Sequence, residues 1–178
     1  VPTGYAHDEQ GVQSAATNYA VALGSAEMFN TERRREIIAA VTDSSTLDKL
    51  RAGFDVDYSQ DFLKQIGLND DGSAPSGATF VSRTIPVGAK VTSYTGEVAE
   101  VDVWSVGMFG LTGTSSTKPV THAWFTVSFK LKWNGSDWMI LSTAQRTGPT
   151  PVNGDTPVSG SEEIADAVRE FGGFTYAR

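Results

Sequence analysis

From Thr121 to Trp133 every second residue is apolar, so Ala123, Phe125, Val127, Phe129, Leu131 and Trp133 share one side of an extended chain. His122, Trp124, Thr126, Ser128, Lys130 and Lys132 share the other side. A period of two sustained over that length fits a strand with one face on a core and fits no helix. Asn134-Gly135-Ser136-Asp137 follows at once and carries hairpin-turn chemistry. Folding the chain about it with Trp133 opposite Trp138 sets Leu131 against Ile140 and Phe129 against Ser142 on the apolar face. Lys132 then meets Met139 and Lys130 meets Leu141 on the other, and the two Trp form a cross-strand aromatic pair. The chain must therefore contain an antiparallel sheet.

Upstream, Phe80 to Pro86 reads as a short strand, and Lys90 to Tyr94 as another or as the start of a longer one. Glu97 to Val106 alternates, with Ala99, Val101 and Val103 on one side. Before Asn69-Asp70-Asp71-Gly72-Ser73-Ala74-Pro75-Ser76-Gly77, which is turn chemistry throughout, the period is helical. Val12, Ala15, Ala16, Tyr19, Ala20 and Leu23 mark a first helix from Asp8 to Leu23, with Asp8 as N-cap and Gly24 as stop. A second helix starts after Asn30 or Thr31 and turns Ile37, Ile38 and Val41 inward. A third opens at Ser44 or Ser45, where Ser45 and Asp48 have near capping-box spacing, and its inner face holds Leu47, Leu50 and Phe54. A short fourth carries Tyr58, Phe62, Leu63 and Ile66 and stops at Gly67. Thr147 to Ser161 is a Pro/Gly-rich linker, and Glu162 to Phe171 a final helix, with Ile164, Val168 and Phe171 placed to dock on the body. The expectation is one α+β domain over residues 1–178, with helices across residues 1–67, a sheet across 78–146, a linker across 147–161 and a C-terminal helix across 162–171.

Composition narrows the function. A net charge of −7 and a pI near 4.7 disfavour nucleic acid and anionic membrane surfaces, which reward clustered cations. The run Arg33-Arg34-Arg35 is too short to reverse that and reads as a solvated helix face. With no Cys, disulfides, thiolate metal sites and Cys nucleophiles are excluded. The opening Val1-Pro2-Thr3, without an initiator Met, is expected for a product that has lost a signal or anchor, its native form tethered by a segment absent here.

Catalytic patterns are missing. His7-Asp8-Glu9 lacks converging ligand spacing and serves better as a helix cap. Asn69-Asp70-Asp71-Gly72 lacks the alternating ligands and closing Glu of a calcium loop. No Gly-rich phosphate cradle or nucleophile elbow occurs. Glu100 and Asp102 share a strand face, where carboxylates ordinarily just meet solvent. No catalytic residue, metal or cofactor is expected.

Helices ahead of an antiparallel sheet that ends in Trp133-Asn134-Gly135-Ser136-Asp137-Trp138 resemble the nuclear transport factor 2-like (cystatin-like) superfamily. The likeness runs nearly the whole chain to Ala144 and implies a strongly curved sheet under the helices. Gly11, Ala15, Ala16, Tyr19 and Leu23, followed by the Arg-rich second helix, also resemble ectodomains of membrane-anchored or secreted actinobacterial proteins. The superfamily includes enzymes with polar residues in a conical pocket, and non-enzymatic envelope domains of type IV secretion and conjugation machinery. An enzyme of this kind needs an Asp, Tyr or His facing inward from the long strands, whereas Ala99, Val101, Val103 and the row from Ala123 to Trp133 face inward here. The resemblance thus implies a non-catalytic, extracytoplasmic assembly domain that binds a protein partner or itself. A small-molecule or enzymatic pocket of ketosteroid isomerase type is the alternative. Pairing Glu97–Val106 with Thr121–Trp133 across a Gly107–Pro119 loop brings Trp104 near His122 and Trp124. These three, extended by Met108 and Phe109, are the candidate partner-binding residues, unless the C-terminal helix covers them.

Overall fold

The computed structural model describes residues 1–113 and 116–151. Helix α1 spans Glu9–Leu23, a single 3₁₀ turn Ala26–Phe29, α2 Thr31–Val41, α3 Leu47–Asp57 and α4 Gln60–Gln65. Four strands follow: β1 Thr79–Tyr94, β2 Val98–Thr112, β3 Thr121–Trp133 and β4 Trp138–Thr147. They pair antiparallel in chain order as one curved, open sheet, which makes this an α+β fold. The expected C-terminal helix 162–171, and the linker beyond Pro151, lie outside the described residues.

The helices begin where side chains satisfy their free amides. Asp8 accepts from the Gly11 amide at 2.7 Å, Asn30 from Arg33 at 3.1 Å and Ser59 from Phe62 at 3.3 Å. The expected Ser45 cap does not form. Ser45 instead donates its amide and hydroxyl to the Asp43 carboxylate, so α3 starts after Thr46, which makes no side-chain cap. Asp43 is itself fixed, because its amide donates to Ile140 of β4 at 2.9 Å.

The strands correct three expectations. Phe80–Pro86 and Lys90–Tyr94 belong to one strand, joined across irregularities at Pro86/Gly88 and Val91/Ser93. Pro86 is tolerated because β1 is an edge, where a missing amide leaves no ladder bond broken on the outer side. β2 does not stop at Val106; it runs through Gly107 and Gly110 to Thr112. These glycines are needed for close approach, since a Cβ on Gly107 would strike the Phe125 ring and one on Gly110 the Pro119 carbonyl. The hairpin pairs Trp133 with Trp138, Lys132 with Met139 and Leu131 with Ile140 as expected. Then a bulge moves the register by one, so Lys130 meets Ser142 and Phe129 meets Thr143. That bulge sits where the Thr42–Asp43 link between α2 and α3 bonds to Ile140.

Two apolar clusters hold helices to sheet. In one, Val12, Ala15, Ala16 and Tyr19 of α1 pack on Ala99, Val101, Val103, Phe129, Leu131, Trp138 and Ile140. The alanines let α1 lie close, and Tyr19 donates its hydroxyl to the Trp138 carbonyl at 2.6 Å. The other gathers Met28, Phe29, Ile37, Ile38, Leu63, Leu68 and Leu111. Arg34 belongs with this second group: it is buried, bonds Asp55 at 2.9 Å and the Met28 carbonyl at 3.0 Å, and lies over the Tyr58 ring. The Arg run is therefore a solvated face only at Arg33 and Arg35.

An N-terminal strap closes the turn end of the sheet. Asp137 accepts from the Gly4 and Tyr5 amides at 2.7 and 3.3 Å, and the Trp138 indole donates to the Ala6 carbonyl at 2.9 Å. His7 stacks on Trp133 with ring centroids 4.2 Å apart. Gly11 lies under the strap, and any side chain there would collide with the Ala6 backbone.

Candidate functional site: the outer face of the sheet

Alternation along β2 and β3 turns Glu100, Asp102, Trp104, Val106 and Met108, and His122, Trp124, Thr126, Ser128 and Lys130, away from the helices. Val106 pairs with Trp124 and Trp104 with Thr126, so the two indoles meet on the diagonal, with centroids 5.0 Å apart and planes inclined by 33°. Both are half-buried. Met108 pairs with His122 one step further along, and both are exposed. Trp104, Trp124, Met108 and His122 thus form a strip on one face. Phe109 is on the opposite face, 5.4 Å from Phe80 and 5.8 Å from Phe29 between ring centroids.

The chain crosses this strip as it leaves β4. Gly148 donates its amide to the Trp124 carbonyl at 2.7 Å and accepts the Thr126 hydroxyl at 2.8 Å. The Trp104 indole donates to the Pro149 carbonyl at 2.8 Å. The polar handle of Trp104 is therefore occupied within the chain, while part of each ring stays open to solvent. Sequence reading missed this crossing because nothing in Gly148-Pro149 specifies which strand face a linker takes.

Beyond the indoles lies an ionic lattice. Arg146 bonds Asp102 at 2.9 Å and Ser128 at 3.0 Å, Ser128 donates to Asp102 at 2.6 Å, and Lys130 sits 3.5 Å from Glu100. The hydrogen bond from Arg146 holds the Asp102 carboxyl below its ordinary range, with burial opposing and Ser128 adding to the effect. A carboxylate so stabilised is a poor general base. Arg146 was not legible as its partner, because the β4 bulge sets which β4 side chains reach the outer face.

Asp43 and Asp55 are held low as well. Ser45 hydrogen bonds do this at Asp43, aided by Lys132. At Asp55 burial pushes up, and the hydrogen bonds and charges of Arg34 and Arg35 outweigh it. Depressed folded-state values mean stability that is present above the unfolded aspartate pKa of about 3.9 and is lost as pH falls through the lower folded values. The melting temperature is therefore expected to hold down to about pH 4 and to drop below it. An Asp102→Asn variant should show a shallower drop; an identical acid limb would mean that Asp102 gains nothing on folding.

The inner face is not closed throughout. A cleft of about 530 Å³ lies between the sheet and the ends of α1, α3 and α4. Phe54, Tyr58, Phe62, Phe109, Phe125 and Val127 are among its walls, with Asp57 exposed at the rim. Phe129 and Leu131 are dry core as expected, but Phe125 and Val127 are only half-buried and Ala123 is exposed. Neither His reaches the cleft: His7 is on the strap and His122 on the outer face. Burial raises the Tyr58 phenol above its ordinary range. Among the described residues, no helix is long and apolar enough to cross a membrane.

A scan against protein-family models and a search of curated proteins find no match. Solved structures do resemble this chain. The crystal structure of an IcmL-like type IV secretion system protein from Legionella pneumophila aligns over 81% of this chain and 96% of its own, with TM-score 0.56 and 9% identity. The intermembrane space region of the chloroplast protein ARC6 aligns over 79% and 98%, with TM-score 0.45 and 14% identity. At such identity the first likeness establishes a shared fold.

Proposed function

We propose that this chain is a non-catalytic, extracytoplasmic interaction domain of a cell-envelope protein, and that it works in assembly of a conjugation or secretion apparatus. It is read as a single nuclear transport factor 2-like domain over residues 1–178. The fold shared with a type IV secretion protein supports the setting. The observation that carries the reading is the Trp104–Trp124 pair, two indoles in contact and half-open on a strand face where Lys130 pairs with Glu100 and Arg146 with Asp102. Trp is strongly enriched among interface hot spots, and an apolar strip with a charged rim has the layout of an interface core.

The test is self-association measured by sedimentation over a concentration series. Trp124→Ala is expected to weaken it by tenfold or more, as for a hot-spot residue, while costing the fold only about 1–2 kcal/mol because the ring is half-exposed. Unchanged association in the variant removes the strip from the interface.

The inner cleft favours a second reading, a pocket of ketosteroid isomerase type for a small apolar molecule, since its volume lies within the range of natural ligand sites. Its described walls combine aromatic surface with Ser82, Thr84, Thr143 and Gln145, and carry the Asp57 carboxylate at the rim, a set suited to binding more than to proton transfer.

A further inference from the structure

The outer face of the sheet is the basic side of an acidic chain. Its strands carry Arg83, Lys90, Lys130, Lys132 and Arg146 against Glu100 and Asp102, and alternation turns all of them outward. Five cations against two acids give this face +3 in a chain of −7, so the remainder carries −10. The indole strip lies inside that basic field. Arg83 pairs with Met108 at one end of it, and Lys90 pairs with Asp102, the next outward position after Trp104, at the other. Neither cation has an ion pair among the described residues. Two copies meeting strip to strip across a twofold axis would set +3 against +3, and like charges across an interface cost affinity. The strip asks instead for an apolar patch edged by carboxylates.

Helix α3 presents such a patch. It packs Leu47, Leu50 and Phe54 inward and leaves Ala52, Gly53 and Val56 exposed. Val56 is 74% exposed, the most open large hydrophobic side chain among the described residues. Gly53 keeps the surface flat, with nothing within 4 Å of the place a Cβ would take. Asp48 lies one turn before Ala52 and Asp57 one turn after Gly53, both exposed, and the exposed Asp61 follows at the start of α4. Lys49 is the cation beside them, so the patch is net acidic. None of the three aspartates has an ion pair among the described residues. We propose that the two surfaces are halves of one head-to-tail contact, in which the Trp104–Trp124 strip of one copy docks on α3 of the next. The indoles meet Val56 and the flat helix face, while Arg83 and Lys90 meet the aspartates. This rests on the reading of the strip as an interface and names its partner. One half faces away from the helices and the other away from the sheet, so the contact repeats into an open chain of copies.

Sedimentation of the full chain over a concentration series tests it, with Trp124→Ala and Val56→Arg made separately and then mixed. Val56 is open enough for Arg to leave the fold intact, which an unchanged circular dichroism spectrum checks. Each variant alone is expected to associate at least about tenfold more weakly than the natural chain, since each lacks one half of the contact. Mixed in equal amounts they should form a one-to-one complex and stop there, because Trp124→Ala keeps its α3 and Val56→Arg keeps its strip. Raising salt from about 50 to about 500 mM should weaken association of the natural chain. Val56→Arg associating like the natural chain, a mixture that does not pair, or indifference to salt overturns the proposal. If Trp124→Ala is still deficient in those cases, the reading of the strip as an interface stands. A natural chain that stays monomeric, or full association of Trp124→Ala, removes that reading and this contact with it.

Discussion

Replacing Phe129 with Ala should cost about 3–5 kcal/mol in a urea unfolding series, the loss for emptying a large aromatic site in a closed core. Phe129 is 1% exposed, pairs with Val101 and Thr143, and belongs to the cluster that fixes α1 on the sheet. The sharper expectation is a contrast within one strand. Phe125 has the same orientation four residues earlier, yet it lines the open cleft and is only half-buried. Phe125→Ala should cost roughly 1–2 kcal/mol, because water already reaches part of the ring and no sealed cavity is left. Equal losses at the two positions would mean that the cleft is closed in solution. A loss below about 1 kcal/mol at Phe129 would contradict the core assignment itself.

That contrast marks how far sequence reasoning carried. Strand β3, the helix starts at Asp8 and Asn30, and the Trp133–Trp138 pairing were legible because each rests on local rules: period two, an amide-accepting side chain, a two-sided turn. The start of α4 was not: Tyr58, expected inside that helix, closes α3, and Ser59 caps α4. Periodicity says which face a residue takes, but not whether anything covers it. Phe125 and Phe129 are identical by pattern and differ only in how far α1 and α4 reach. The β4 bulge escaped notice because it answers to a tertiary bond, the Asp43 amide on Ile140, and it decided that Arg146 joins Asp102. For the outer face, the register supplied the meeting of Trp104 with Trp124, and the same alternation sent Phe109 to the far side once β2 continued past Val106.

The second large effect lies in the Arg run of α2. Three consecutive Arg look like a solvated face, but a helix turns 100° per residue, and Arg34 lies three, four and seven residues before Ile37, Ile38 and Val41, on the stripe that faces inward. Arg34 turns in. Its side chain is 3% exposed, and the guanidinium ties three elements together, donating to Asp55 of α3 at 2.9 Å and to the Met28 carbonyl of the 3₁₀ turn while lying over Tyr58. Arg34→Ala removes the charge, the packing of its stem and the partner of a buried carbonyl at once. The expected loss is about 3–5 kcal/mol, toward the lower end because Asp55 keeps Arg35 at 3.3 Å. Arg34→Met, which restores the apolar volume, should recover some of it. The pH dependence separates charge from packing. Without Arg34 the force holding the Asp55 carboxyl low is reduced, its folded value rises toward the unfolded one, and the acid limb of the stability curve flattens. Unfolding of Arg34→Met, Asp55→Asn and the double variant at pH 7 and pH 3 completes the cycle. A coupling that is large at pH 7 and shrinks at pH 3 identifies an ion pair. A coupling equal at both would mean that Arg34 holds the helices together through its stem and the Met28 carbonyl alone.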